Sequence, residues 1–217
     1  MHAPRERPLH PPACPAGRLA TGVLPARWRD GLVFLHGFAR HPGEVGSMVP
    51  SSACLERRLV SEARAGRART LVELGPGTGG TTAALLRALR PGGRLLALEL
   101  DPGFHRHLAR RLDDPRLILE LASAAHLAQS LARHGLPPPD AIVSGIPFSL
   151  LPVDTAERIA ATIARLLAPG GRFVAYQVRS RVADYLRPHL GPPRVAWEWI
   201  NVPPVRVYTW ERSFHAA

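Results

Sequence analysis

The sequence predicts an α/β fold: a doubly wound, mostly parallel sheet, finished by an antiparallel hairpin and preceded by an N-terminal helical extension. Three observations predict it. From residue 70 onward, short apolar runs alternate with helical patterns, as strand–helix–strand units require. The first apolar run breaks into Gly75, Gly77 and Gly79 and passes at once into a helical pattern. The last two runs, 194–201 and 205–212, are separated only by Val202, Pro203 and Pro204, so they read as a hairpin.

Residues 1–24 carry Pro4, Pro8, Pro11, Pro12 and Pro15 and little apolar periodicity, and read as a mobile tail. Residues 25–66 read as the helical extension. Within it, Trp28, Leu32, Leu35 and Ala39 share a helical stripe over 25–40, flanked by Arg27, Arg29 and Arg40. Two readings stand for that segment: an interfacial membrane helix, weakened by Gly31 and Gly37, or a helix packed over a ligand pocket. After a loop at 41–52, Ser51 or Ser52 is placed to cap a helix over 53–65.

The third unit, 67–217, holds the sheet. Strands are predicted at 70–74, 94–100, 116–121, 141–144 and 172–178, with helices at 102–112, 125–134, 154–167 and 181–189 between them. The hairpin follows. Ligands of such a sheet lie beyond the carboxyl ends of its strands, so site residues should come from the ends of the first four.

At 217 residues and a formal charge of +11, with arginine as every cation and no lysine, the chain suits anionic partners, either nucleic acid or a phospholipid surface. A GC-rich base composition explains the same abundance of Arg, Ala, Gly and Pro. Cys14 and Cys54 are isolated, so neither a disulfide framework nor a zinc site is expected, and a reducing cytoplasm fits. The ten histidines have no metal-ligand spacing. No apolar run approaches the roughly 18 residues that span a bilayer, and no signal-peptide core precedes the fold.

The glycine stretch, Leu71-Val-Glu-Leu-Gly-Pro-Gly-Thr-Gly79, has neither the G-x-G-x-x-G of NAD sites nor the Gly-Lys-Ser/Thr of a P-loop. Its E-x-G-x-G-x-G form resembles motif I of class I S-adenosylmethionine (SAM)-dependent methyltransferases. That resemblance implies a Rossmann-like sheet, SAM as cofactor and S-adenosylhomocysteine as product. Glu73, Gly75, Gly77 and Gly79 would hold the methionine and ribose portions. Glu99, 20 residues past Gly79, is placed to accept from the ribose hydroxyls, with Leu100 beside it. Asp101 reads as the cap of the next helix. Ser123 stands where many members of the family carry the acid that binds adenine.

The strand-four loop is Ser144-Gly145-Ile146-Pro147-Phe148. Methyltransferases of the rRNA adenine type have Asn-Leu-Pro-Tyr there, with Gly145 replacing the asparagine and Phe148 the tyrosine. Three segments, 40–52, 143–147 and 201–208, together with motif I, resemble the bacterial phospholipid N-methyltransferases of the PmtA type. This implies stepwise methylation of phosphatidylethanolamine towards phosphatidylcholine, by a cytoplasmic protein peripheral to the inner membrane. Docking on anionic lipid would use an amphipathic front segment.

On that reading Ser144, Gly145 and Ile146 offer backbone carbonyls to the developing ammonium. Phe148, Tyr176 or Tyr208 gives a cation–π contact; each tyrosine equally suits a packing role. Arg179 and Arg206 pair with the lipid phosphate, and Glu44 borders the pocket. No metal and no nucleic acid is expected, and a monomer is. The alternative is an rRNA adenine or small-amine N-methyltransferase on the same fold. A SAM-binding module without activity is the third reading.

Overall fold

The computed structural model describes residues 52–201 and 204–213. The tail 1–24, the segment 25–40, Glu44 and Ser51 lie outside them. In chain order the elements are α1 (Ala53–Glu62), β1 (Thr70–Leu74), α2 (Gly80–Ala88), β2 (Arg94–Glu99), α3 (Pro102–Arg111) and β3 (Leu117–Leu121). Then come α4 (Leu127–Arg133), β4 (Ala141–Ser144), α5 (Val153–Leu166), β5 (Arg172–Gln177), α6 (Arg181–Leu190), β6 (Arg194–Glu198) and β7 (Val205–Glu211). The sheet order is β3-β2-β1-β4-β5-β7-β6. All pairs up to β4–β5 are parallel, while β7 runs antiparallel to both β5 and β6.

Strand alternation sends successive side chains to opposite faces. On one face, Val72, Leu74, Ile142, Phe173 and Trp210 pack with Leu127, Ile159, Ile163 and Leu186 from α4, α5 and α6. On the other, Leu71, Val143, Val174 and Val207 pack with Leu55 and Leu59 of α1 and Leu85 of α2. The described part of the helical extension therefore forms a wall of the sheet's own core. Ser52 caps α1 by accepting the Leu55 N–H.

Local chemistry explains where boundaries differ from the sequence pattern. The helix predicted over 125–134 opens as a 3-10 turn, Ala124–His126, capped by the Ser123 hydroxyl. The strand predicted to reach residue 201 stops at Glu198, whose carboxylate accepts the Ile200 N–H and folds the chain into a turn. Cys54 is disulfide-bonded, a correction to the expectation of unpaired cysteines; its partner lies outside the described residues. Among those residues, no helix is long and apolar enough to cross a membrane, and no cluster suited to a metal ion occurs.

Candidate active site

The carboxyl ends of β1, β2, β4 and β5 meet at one edge of the sheet. After β1, Gly75, Gly77 and Gly79 all have positive φ, at 72°, 57° and 83°. Gly79 caps α2 in the left-handed conformation, and a Cβ there would collide with Leu108 of α3. Only glycine lets the chain turn at that point and keep α3 against the sheet.

Glu99 ends β2, 4% exposed. One carboxylate oxygen accepts the Gly77 N–H at 2.9 Å and the other the Asp101 N–H at 2.9 Å. The acid thus clamps the glycine turn from beneath. Each oxygen has two lone pairs, so each retains a site for a ligand hydroxyl. Burial raises the Glu99 pKa; the backbone N–H groups of Asp101 and Gly77 oppose the rise, and the Asp101 charge adds to it.

Glu73 lies in the middle of the sheet, 1% exposed. Neither of its oxygens has a hydrogen-bond partner. Burial pushes its pKa up to about 8, with the Glu99 charge as a smaller contribution. The Thr82 hydroxyl of α2 acts in the opposite direction, although it too lacks a partner of hydrogen-bond geometry. A buried carboxyl without partners is costly to retain. A cation seated beside the glycine turn would relieve that cost. SAM carries two cationic groups, a sulfonium and an ammonium, and ribose hydroxyls for Glu99, so the residues present fit it.

Ser144 is fully buried, and its hydroxyl accepts the Ile146 N–H at 3.3 Å. Gly145 is required by shape: a Cβ there would strike the Tyr176 hydroxyl and come within 2.9 Å of the Gly75 carbonyl. Tyr176, half-buried on β5, therefore reaches across to the loop after β4. The neighbouring Gln177, 6% exposed, donates its amide to the Ile146 carbonyl. Sequence reasoning missed Gln177. Its signal was a buried amide closing an otherwise apolar strand.

Other expected residues sit elsewhere. Phe148 is fully buried and packs near Tyr185, ring centroids 6.3 Å apart, so it belongs to the core and not to a head-group pocket. Tyr208 is 3% exposed and stacks on Trp210 on the same face. Among the three aromatic candidates, Tyr176 is the one whose hydroxyl approaches Gly145. Arg206 holds its guanidinium 4.4 Å over the Trp197 ring, a cation–π contact. Arg179 is exposed just past β5. Leu100 is exposed beyond β2, and the half-buried Ser123 accepts the Ala125 N–H at 3.3 Å. Asp101 caps α3, accepting from Gly103 and Phe104.

A family model described as a methyltransferase domain matches residues 72–173. Over 146 residues the chain is 32% identical to an ornithine lipid N-methyltransferase of Singulisphaera acidiphila, covering 67% of this chain and 76% of that protein. It is 34% identical over 149 residues to the ribosomal RNA small subunit methyltransferase A of Nocardia farcinica, covering 66% of this chain and 47% of that one. The O-methyltransferase TomG of Streptomyces achromogenes, solved with SAM, superposes with a TM-score of 0.63 at 17% identity, over 90% of this chain and 93% of its own. At that identity the likeness is one of fold. With motif I folded as a glycine turn between two buried acids, the chain belongs to the class I SAM-dependent methyltransferases, and SAM is its cofactor.

Proposed function

We propose that the protein methylates the amine of a membrane lipid, with phosphatidylethanolamine as substrate, converted stepwise towards phosphatidylcholine. The observation that carries this reading is the closure of position 145. Enzymes of the rRNA adenine type hold the target nitrogen with an asparagine there. Here the Tyr176 hydroxyl and the Gly75 carbonyl leave no room for any side chain. The ornithine lipid N-methyltransferase likeness supports a lipid amine on a separate ground.

Bound SAM supplies an activated methyl group, so this chain's own task is to align an amine and manage its protons. The Tyr176 hydroxyl, beside the Gly75–Gly145 contact, accepts a hydrogen bond from the ammonium, and its ring face favours each more methylated cation. On this reading the hydroxyl orients the amine while water removes the proton. The Ile146 carbonyl, fixed by Gln177, keeps a second lone pair for the same ammonium. Arg179 is available to the lipid phosphate, and the front segment 25–40 would meet the anionic bilayer.

The test offers labelled SAM and purified protein three acceptors: phosphatidylethanolamine vesicles, ornithine lipid vesicles and ribosomal RNA. Label in phosphatidylethanolamine supports the proposal. Label only in ornithine lipid moves the substrate to a phosphate-free amine, and label only in RNA overturns the lipid reading. Gly145→Asn should lower lipid methylation, because the added side chain displaces Tyr176 at an overpacking cost of about 1–3 kcal/mol, without creating RNA activity.

A further inference from the structure

The turn between β6 and β7 is built to push apolar groups outward. Trp199 is 67% and Ile200 59% exposed. Trp197, 39% exposed, stacks on Trp199 with ring centroids 4.7 Å apart and planes 13° from parallel. The underside of the turn is fastened. Glu198, 5% exposed, forms a 3.0 Å salt bridge with Arg58 of α1 and accepts the Ile200 N–H. Asn201, 2% exposed, accepts the Ser52 N–H at 3.0 Å. Two tryptophans and an isoleucine, Trp197 at the end of β6 with Trp199 and Ile200 after it, gain nothing from exposure to water in isolation.

We propose that this turn inserts into the interfacial layer of an anionic lipid bilayer. The proposal rests on the lipid-amine reading and adds to it the surface that meets the lipid. Tryptophan suits that layer because one ring carries a large apolar area and an N–H that stays wet. Charge on the same spot complements anionic head groups: Arg206 lies on the inner tryptophan. Position points the same way. Arg206 pairs in register with Gln177, and Gln177 holds the Ile146 carbonyl of the amine-binding loop. A bilayer touching the turn therefore lies beside the mouth of the methyl-transfer site. Residues 1–51 join the described chain at Ser52, whose N–H is held in the turn.

The experiment uses the full chain and vesicles of phosphatidylglycerol mixed with phosphatidylcholine, read by co-sedimentation. Trp199→Ala/Ile200→Ser should lower the vesicle partition coefficient at least tenfold. Its SAM affinity by calorimetry should stay within twofold of the parent, which shows that the fold survives. Equal partition of variant and parent overturns the proposal, as does a parent that ignores these vesicles. Without vesicles, acrylamide should quench the parent more strongly than Trp199→Phe. No difference would mean that residues 1–51 or a second copy already cover the turn, and would overturn it too. None of these readings needs lipid methylation. Docking with no labelled lipid amine would defeat the proposed substrate and leave the docking surface standing; labelled amine in soluble short-chain lipid, without docking, would do the reverse.

Discussion

Glu73 keeps its proton in the fold up to about 8, against an ordinary value of 4.5. Between those values unfolding releases a proton, so rising pH favours the unfolded chain. The stability contribution is complete below about pH 4.5 and is lost as pH rises towards 8. Glu99 is shifted in the same direction and adds to the slope. Thermal melting of SAM-free protein from about pH 5 to 8 should show this decline, and Glu73→Gln should flatten it. A bound cation reverses the preference. SAM binding should therefore release up to one proton near pH 7, seen by calorimetry in buffers of different ionisation heat. Glu99→Gln leaves one acceptor oxygen where two are used, and should weaken SAM binding about tenfold or more. Both acids were legible in the sequence, because their spacing from the glycines is local. The pairing of Tyr176 with Gly145 was not, since it joins two strands through side-chain direction.

At the scale of elements, spacing and punctuation carried most of the answer. The limits predicted for 70–74 and 141–144 match β1 and β4 because both are short, largely apolar segments that run into a glycine turn at Gly75 and at Gly145. Caps were legible too: Asp101 accepts from Gly103 and Phe104 at 2.7 and 2.9 Å. Asp101→Ala should cost about 1 kcal/mol, lowering the melting temperature by roughly 2–4 °C with SAM affinity little changed. Melting curves and calorimetry on one preparation check both. Phe148 shows where motif reading stops. The chain position matched a stacking residue, but the 3-10 turn Phe148–Leu150 directs the ring into the core. No pattern of neighbours in sequence reveals which way such a short turn faces.

Across the whole molecule, the parallel order of the strands followed from strand–helix alternation, whereas the insertion of β7 between β5 and β6 did not. Hairpin pairing is local, but the choice of which hairpin strand adds to β5 depends on packing. There Tyr208 and Trp210 join the core beside Phe173. The arginine-only charge of +11 predicts salt-sensitive recruitment to anionic vesicles. Raising salt from about 0.1 to 0.5 M should weaken binding several-fold, and the residue left at high salt should vanish in Trp199→Ala/Ile200→Ser.

That strand order also bears on biosynthesis. While residues past 204 remain inside the ribosome, Phe173–Gln177 has emerged with an open hydrogen-bonding border. Strand β6 emerges with nothing between it and the body of the sheet. Synthesis must therefore pass through an interval in which a half-finished sheet offers an adhesive margin to other nascent chains. Delaying the emergence of Val205–Glu211 from the ribosome should lengthen that interval and raise the demand for chaperones.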